Sequence, residues 1–263
     1  MLVATWNVNS LRLRISQLKN FLQYHQPDII ALQETKVQDS EFPLLALQEL
    51  GYPHILFKGQ KSYNGVALLA KMPLVEGPTA NFGGMGDARH LSCLLPNGGV
   101  LHNFYVPAGG DIADVNQNPK YAHKINFLQD MKNFLSTMHP SDQPIIILGD
   151  INIAPRENDV WNHKQMLKVV CHTPLEVENL SAVMDRLGVF DCARHFVPDD
   201  KKLYSWWSYR NHQITPQSRG LRLDHIWLRQ CHQDRLQNCI HFDKQRLEAR
   251  PSDHVVVMAK LAW

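Results

Sequence analysis

The stretch from 144 to 152, PIIILGDIN, decides the fold class of this chain. Its central run, 145–148, consists only of isoleucine and leucine and lies between a proline and a glycine, a pattern that predicts a short buried β-strand. Asp150 and Asn152 follow where that strand is expected to end. The stretch therefore predicts a strand enclosed within the protein, with polar side chains just beyond its end.

Other segments add further strands and amphipathic helices. Strands are predicted at Leu2–Trp6, Asp28–Leu32, Gly65–Ala70, His90–Leu95, Val100–Val106, Leu203–Tyr209, Leu221–Leu228 and Val255–Ala259. Helices are predicted after Ser10 (a candidate N-cap), at Asp39–Leu50, at Lys120–His139 and near Leu180–Leu187. Their irregular alternation favours a mixed α/β layered domain over a regular βαβ series. No internal repeat or linker is visible, so a single domain over 1–263 is predicted.

The composition is that of an ordinary globular protein. With 263 residues, 44% of them hydrophobic, the chain can bury a large core without a disulfide or metal staple. Its five cysteines are odd in number and scattered, which argues against a disulfide framework and indicates a reducing compartment. No apolar run is long enough for a membrane span, and the N-terminus lacks a signal-peptide pattern. We therefore expect a cytoplasmic protein without a membrane partner.

The charge is unevenly distributed along the chain. The formal net charge is +2, but 201–254 contains ten Lys and Arg against five Asp and Glu. Such an excess is typical of a solvated charged face, and it is also typical of a cationic patch that binds a polyanion. Charge alone leaves both interpretations open.

Polar side chains lie at the ends of the predicted strands. Taken singly, an Asn or Asp in a turn usually serves the turn, and a Glu after a strand is usually a solvated loop residue. Strand ends, however, hold the backbone rigidly while leaving side chains accessible, which suits a functional site. The candidates are Asn7, Glu34, Tyr105, Asp150, Asn152, Asp224, Asp253 and His254.

Six short motifs surround these candidates. They are WNVN at 6–9, LQETK at 32–36, YVP at 105–107, GDIN at 149–152, RLD at 222–224 and PSDH at 251–254. In this order they resemble the signature motifs of the exonuclease III family, within the endonuclease/exonuclease/phosphatase superfamily that includes deoxyribonuclease I. Each motif alone is weak, but six in the right order form a specific signal that runs from Asn7 to His254.

The resemblance implies a fold and a cofactor. The expected fold is a deoxyribonuclease I-like four-layer sandwich of the α/β (α+β) class, with two packed mixed β-sheets flanked by helices. The expected cofactor is Mg²⁺, for which Mn²⁺ can substitute. Mg²⁺ prefers oxygen ligands and keeps several waters, so a few protein oxygens suffice to hold it. The residues implied as metal ligands are Glu34 and Asp253, with Asn7 or Asn9.

The resemblance also implies roles in the hydrolysis of a phosphodiester. Asp150 orients or deprotonates the attacking water, and Asn152 donates to the phosphate. His254 stabilises charge on the phosphate, with Asp224 fixing its imidazole. Tyr105 donates to the phosphate or the leaving group, and Asn7 completes the catalytic set.

The expected substrate is double-stranded DNA with abasic sites or 3′ ends, bound by a monomer. Trp206, Leu221 and Leu223 are expected to wall a pocket for a baseless sugar. At Ala108, many family members carry Asn or Gln, so a phosphate donor is missing here, and the backbone of Gly109 and Gly110 could replace it. Candidate phosphate contacts are Arg89, Arg210, Arg219, Arg222 and Lys244, followed by His90 and Lys36.

Two other functions fit part of the pattern. One is a superfamily phosphoesterase that acts on a non-DNA phosphate ester, such as an inositol phosphate or sphingomyelin. The other is a non-catalytic DNA-binding relative, whose expected mark is loss of the carboxylates or the histidine. Because the chain keeps these groups, the sequence favours an enzyme that cleaves the backbone 5′ to abasic sites and trims 3′ ends.

Overall fold

The computed structural model describes residues 1–140, 142–210, 214 and 218–263. Within these ranges the strands are β1 (Leu2–Asn7), β2 (Ile29–Gln33), β3 (His54–Lys58), β4 (Val66–Ala70), β5 (Val75–Glu76), β6 (His90–Leu94), β7 (Val100–Tyr105), β8 (Ile145–Asp150), β9 (Val189–Asp191), β10 (Trp206–Trp207), β11 (Gly220–Leu221), β12 (Asp224–Arg229), β13 (Leu236–His241) and β14 (Val257–Leu261). The α-helices are α1 (Leu11–His25), α2 (Leu44–Gln48), α3 (Pro119–Met138), α4 (His163–Met166), α5 (Pro174–Leu187) and α6 (Cys192–Phe196). Short 3-10 turns lie at Asp39–Glu41, Phe82–Gly84, Glu157–Asp159, Gln230–Arg235 and Asp243–Leu247.

Two six-stranded sheets form the centre of the protein. The first has the order β13-β14-β1-β2-β4-β3, and the second has the order β5-β6-β7-β8-β12-β9. Each sheet contains one parallel pair, β1 with β2 and β7 with β8, and its other neighbouring strands are antiparallel. Both sheets are therefore mixed, as predicted.

The isoleucine run of β8 is buried on both faces. Ile146 and Leu148 pack between the two sheets, whereas Ile145 and Ile147 pack outward against α3 and α5. Successive side chains of a strand point to opposite faces, so a strand with a layer on each side must be apolar throughout. On the far side, α1 covers the outer face of the first sheet. The four-layer sandwich is thus confirmed.

A buried polar link joins the two sheets. The Nδ2 of Asn103, on β7, donates to the carbonyl oxygens of Leu32 and Ala67 on the first sheet, at 3.0 Å each. The Nε2 of Gln33 donates to the Oδ1 of Asn103 at 2.7 Å and to the Oγ1 of Thr5 at 2.9 Å. Buried polar groups must be hydrogen-bonded, so this network favours one register between the sheets.

The predicted helix at Asp39–Leu50 is wrong in its first half. A 3-10 turn covers Asp39–Glu41, and α2 begins only after Pro43. Proline disfavours helical geometry in the residue before it, and Phe42 is extended. Ser10 was also wrong as a side-chain cap, because its side chain makes no capping bond. The backbone N–H of Ser10 instead donates to the carbonyl oxygen of Glu34 at 2.8 Å.

The late strands differ most from the prediction. Of the strand expected at Leu203–Tyr209 only β10 forms, and the one expected at Leu221–Leu228 divides into β11 and β12. Helix α5 begins earlier than predicted, at a capping box in which Thr173 and Glu176 bond reciprocally. Strands β3, β5, β9 and β13 were missed. Strands β5 and β9 have only two and three residues, and most side chains of β3 and β13 are exposed or half-buried.

Within the described ranges, no helix combines the length and apolar character needed to cross a lipid bilayer. All five cysteines are free thiols; four are buried, and Cys231 is exposed.

We expect Asn103→Leu to lower the free energy of unfolding by about 1–3 kcal/mol, because Gln33 loses one of its two acceptors and two buried carbonyl oxygens lose a donor. The control is Asn133→Leu on the exposed surface of α3. Urea unfolding followed by circular dichroism measures both. Equal stability of the two variants would contradict a role for the polar link.

Candidate active site

The candidate site is the polar end of the core between the sheets. The side chains of β8 and β12 that face the other sheet are apolar along most of each strand. At one end of the sheet, Asp150 of β8 and Asp224 of β12 occupy these inward-facing positions. These two residues are register partners, and Tyr105 is the register partner of Asp150 on the other side. Asn7 ends β1 and faces them from the first sheet. Strand periodicity thus carries polar side chains from both sheets to one place.

His254 and Asp224 form a buried hydrogen-bonded pair. The Nδ1 of His254 lies 2.8 Å from the Oδ2 of Asp224, and its Nε2 lies 3.8 Å from the Oδ2 of Asp150. Ser205 donates its hydroxyl to the same Asp224 oxygen at 2.7 Å. Burial by itself lowers the pKa of His254, but the carboxylates of Asp224 and Asp150 outweigh it and raise the pKa to about 10. His254 is therefore a cation at neutral pH.

Asp150 is a buried carboxyl group with an elevated pKa. Burial raises the pKa of Asp150, and the nearby Asp224 and Glu34 add to this against the opposing effect of His254, giving a pKa of about 7. The Nδ2 of Asn7 donates to its Oδ2 at 2.8 Å, and the backbone N–H of Asn152 donates to its Oδ1 at 3.0 Å. A carboxyl with a pKa near neutrality can both accept and release a proton.

Glu34 lies next to this group on a strained backbone. Its φ of 51° is in the left-handed region, which directs the side chain toward the site. Its Oε1 accepts from the Nδ2 of Asn7 at 3.0 Å and from the hydroxyl of Tyr105 at 2.8 Å. Burial raises the pKa of Glu34, but the hydrogen bond from Asn7 and the ammonium of Lys36 outweigh it and lower the pKa. Glu34 is therefore ionised.

A cation already sits among the predicted metal ligands. The Nζ of Lys36 lies 2.7 Å from the Oε2 of Glu34 and 2.6 Å from the Oδ1 of Asn9. The Nδ2 of Asn9 donates to the Oδ1 of Asp253 at 2.9 Å, so the Asp253 carboxylate lies next to the Asn9 amide. These oxygen donors and the position of the Lys36 ammonium fit a divalent cation that prefers oxygen ligands.

Asn7 does not present its oxygen to this position. Its Oδ1 accepts from the backbone N–H of Asn9 at 3.0 Å, while its Nδ2 donates to Glu34 and Asp150. The geometry therefore favours a positioning role for Asn7 over the predicted metal-ligand role, which Asn9 fits better.

A second group of possible ligands consists of Asp150, Asp224 and His254, whose ligand atoms lie within 4.8 Å of one another. His254 binds a metal only when a ring nitrogen is deprotonated, and its elevated pKa opposes this. We therefore assign the cation position to Glu34, Asn9 and Asp253.

Arg222 was wrong as a phosphate contact. Its side chain is fully buried, and its guanidinium bonds both oxygens of Asp159 at 2.8 Å and the Oδ2 of Asp191 at 2.6 Å. Arg194 pairs with the same Asp159. His90 is also buried, and its Nε2 lies 3.0 Å from the Nδ1 of His102. It therefore cannot contact a phosphate either.

Arg89 is only 5% exposed. Its guanidinium lies 4.6 Å from the ring centroid of Tyr105 and pairs with Asp87 at 3.0 Å. It therefore supports Tyr105 from beneath rather than projecting from the surface. The candidates that remain exposed are Arg210, Arg219 and Lys244.

Next to the cation position lies a cavity of about 520 Å³. Trp206 and Leu221 line it as predicted, whereas Leu223 packs in the apolar cluster beneath. The Nε1 of Trp206 also donates to the Oδ2 of Asp253 at 2.9 Å, which ties the cavity wall to the cation position. Sequence reasoning missed Trp161, which lines the cavity under the guanidinium of Arg219 at 4.2 Å.

Other supporting residues were missed as well. The hydroxyl of Tyr209 accepts from the Nδ2 of Asn9 at 3.1 Å and from the backbone N–H of Asp253 at 3.1 Å. Arg14 donates to the same hydroxyl at 2.9 Å. The buried Lys124 donates to the carbonyl oxygens of Asn152 and Ala108 at 2.7 and 3.3 Å, and so supports the loop that lacks the family's phosphate donor. No local motif marks these residues.

Known proteins resemble this chain in sequence and in fold. Residues 4–254 match the model of the endonuclease/exonuclease/phosphatase family. The chain belongs to this family. It is 35% identical to exodeoxyribonuclease III of Haemophilus influenzae, over 97% of this chain and 98% of that protein. An AP endonuclease structure from Archaeoglobus fulgidus has a TM-score of 0.92 at 28% identity, and the 3′-5′ exonuclease NExo from Neisseria meningitidis has 0.89 at 30%, each over the full length of both chains.

These comparisons confirm the exonuclease III family that the six motifs indicated, together with its deoxyribonuclease I-like fold. In this chain, the polar residues at the strand ends that the motifs contain meet at the end of the core between the sheets, whereas Arg222 of the RLD motif does not.

For Asp224→Asn we expect phosphodiester hydrolysis to fall by about 100-fold or more in kcat, because His254 loses the carboxylate that orients and charges its ring. The control is Asp234→Asn, on the exposed turn after β12. Initial rates on a DNA duplex, with circular dichroism to verify folding, measure the effect. An unchanged kcat in a folded Asp224→Asn variant would remove the pair from the mechanism.

Arg222→Met should destabilise the protein by about 3–5 kcal/mol, because Asp159 and Asp191 would be left buried with one cation too few. The control, Arg210→Met, removes an exposed arginine and should change stability by no more than about 0.5 kcal/mol. Urea unfolding compares the two. Similar stabilities would mean that Arg222 is not the structural residue its contacts indicate.

Proposed function

We propose that this DNA-cleaving hydrolase is a Mg²⁺-dependent repair nuclease that cuts the backbone 5′ to abasic sites and trims 3′ ends of duplex DNA. The observation that carries the proposal is a charged His254–Asp224 pair beside Asp150, whose pKa is near neutrality. A phosphodiesterase needs a group that activates water and a cation that faces the phosphate, and this arrangement supplies both.

Asp150 is the group that takes the proton from the attacking water. It is anchored by Asn7 and by the backbone of Asn152, so one oxygen keeps a fixed direction. Its pKa of about 7 matches a proton acceptor that works near neutral pH.

His254 and Tyr105 stabilise the phosphate. The positive imidazole of His254 attracts the charge that grows on the non-bridging oxygens. Burial raises the pKa of Tyr105, so its hydroxyl stays protonated and remains a donor. Asn152 supplies a further amide nitrogen, although its Nδ2 already donates one bond to the carbonyl oxygen of Val106.

Glu34, Asp253 and Asn9 would hold Mg²⁺, with Mn²⁺ as a substitute. The bound ion would neutralise phosphate charge as a Lewis acid. Lys36 keeps these oxygens together by contacting Glu34 and Asn9. Tyr209 and Trp206 fix the direction of Asn9 and Asp253.

Recognition of an abasic site rests on the cavity beside Asp253. Its aromatic and apolar wall, formed by Trp161, Trp206 and Leu221, suits a deoxyribose that has turned out of the helix. A missing base lowers the cost of that movement. The similarity to an AP endonuclease and a 3′-5′ exonuclease supports both activities. Exposed Arg210, Arg219 and Lys244 provide contacts for DNA phosphates.

We further propose that the enzyme acts as a monomer in the cytoplasm, where free thiols such as the exposed Cys231 persist.

Asp150→Asn should lower cleavage of a duplex with one abasic site by about 100- to 10,000-fold, because the amide cannot accept the proton from water. EDTA should abolish cleavage by the unaltered enzyme, and added Mg²⁺ should restore it. A gel with the abasic duplex beside an undamaged nicked duplex separates incision from exonuclease action.

The control is Asp200→Asn, an exposed carboxylate, which should cleave normally. Full activity in EDTA would refute the metal dependence. Strong turnover of small phosphate esters with no cleavage of either duplex would instead identify a non-DNA phosphoesterase. No metal-dependent cleavage of any of these substrates would identify a non-catalytic relative.

A further inference from the structure

A cavity of about 810 Å³ lies at the end of the second sheet opposite to the active site. It is lined by the last turns of α3 and α5 and by the residues that end and follow β12. Strand β12 runs from Asp224 at the active site to Arg229 at this cavity, a distance of about 17 Å at roughly 3.3 Å per residue. The cavity is therefore separate from the catalytic groups.

Arg229 is the unusual residue of this cavity. It is 5% exposed, and its Nε is buried without a hydrogen-bond partner. Among the residues that the structure describes, none accepts a hydrogen bond from this Nε, and the exposed Asp142 acts on the guanidinium only through its charge. A buried N–H without an acceptor is costly, because it loses water and gains no hydrogen bond in exchange.

The C-termini of two helices compensate only in part for the cost of burying Arg229. The C-termini of α3 and α5, at Met138 and Leu187, border the cavity and carry partial negative charge. They attract the guanidinium but provide no hydrogen bond to it. The five N–H groups of an arginine form a planar fork that matches the oxygens of a phosphate or carboxylate.

The rest of the lining also suits an anion. Exposed Arg186 adds a second positive charge, and Asp185 adds one negative charge. His139 is already engaged, since its ring nitrogens lie 2.8 Å from His102 and 2.8 Å from Gln143. The charged side chains of the lining, two arginines and one aspartate, leave a net charge of +1, which the partial negative charges of the two helix C-termini reduce.

Two hydroxyl groups indicate what else a ligand would carry. Ser136 and Thr137 donate their protons to the carbonyl oxygen of Asn133, at 3.1 and 2.8 Å. Their oxygens are left as acceptors, which suits a ligand with its own hydroxyl or amino donors. The volume lies within the range typical of small-molecule sites.

We propose that this cavity is a second, non-catalytic binding site for a small phosphate-bearing molecule of the mononucleotide type. The phosphate oxygens pair with the guanidinium of Arg229, Arg186 attracts the anion at the rim, and the sugar or base donates to Ser136 and Thr137.

Cys231 provides a local probe for the test. It lines the cavity and is exposed, whereas the other four cysteines are buried. Alkylation of Cys231 by neutral iodoacetamide is followed by mass spectrometry, at constant ionic strength and without metal. The added molecules are inorganic phosphate, deoxyadenosine 5′-monophosphate and uncharged deoxyadenosine.

We expect the mononucleotide to slow alkylation by about tenfold once its concentration is about tenfold above its Kd, because only unoccupied protein reacts. Arg229→Gln should abolish this protection, and Arg12→Gln, which removes an exposed arginine of α1, should retain it. Equal protection by phosphate and by the mononucleotide would overturn the assignment to a mononucleotide, because the sugar and base would then contribute nothing to binding. Protection by deoxyadenosine equal to that of the mononucleotide, undiminished protection in Arg229→Gln, or no protection at all would overturn the proposal.

Thermal unfolding separates this role from a structural one. If Arg229 serves a ligand, Arg229→Leu should melt at the same temperature as the unaltered protein or higher, and should lose the rise in Tm that the mononucleotide causes. If Arg229 serves only the helix ends, Arg229→Leu should melt lower without any ligand, and the mononucleotide should raise no Tm through this site. That result would also overturn the proposal.

Discussion

The packing of the two sheets is the constraint on which the site depends. Asn7, Glu34 and His254 come from the first sheet or the loops at its edge, whereas Asp150 and Asp224 come from the second. A shift between the sheets would part the Nδ2 of Asn7 from Asp150 and the ring of His254 from Asp224, which are now 2.8 Å apart in each pair. The polar link consists of Gln33, the residue before Glu34, and Asn103, two residues before Tyr105. It favours the register between the sheets that the site requires.

That packing also explains the unusual acid–base properties of the site. Bringing Asp150 and Asp224 together in a buried place raises the pKa of Asp150, and the same two carboxylates raise the pKa of His254. The charge of Lys36 offsets that of Glu34, and the charge of His254 offsets that of Asp224. One buried cluster thus holds a carboxyl group with a pKa of about 7 next to a protonated histidine, a pairing that suits the proposed phosphodiester hydrolysis.

The accuracy of the sequence predictions follows from how local each signal is. The isoleucine run before Asp150 needed only its own pattern to be recognised as a strand covered on both faces. Helix Asp39–Leu50 was wrong because the effect of Pro43 on Phe42 outweighs the apolar periodicity. Arg222 is part of the RLD motif and looked like a surface cation, but Asp159, its partner, lies far away in sequence.

The sequence by itself determined the family, the layered fold and the identity of the motif residues, because these depend on local residue order and strand periodicity. Only the tertiary structure decided which atoms of those residues meet. It turned the oxygen of Asn7 away from the proposed cation position and buried Arg222 among aspartates. It also left the Nε of Arg229, at the far end of the second sheet, without a hydrogen-bond partner. The physical reason is that hydrogen bonding, burial and pKa depend on neighbours that the chain brings together only when the sheets pack.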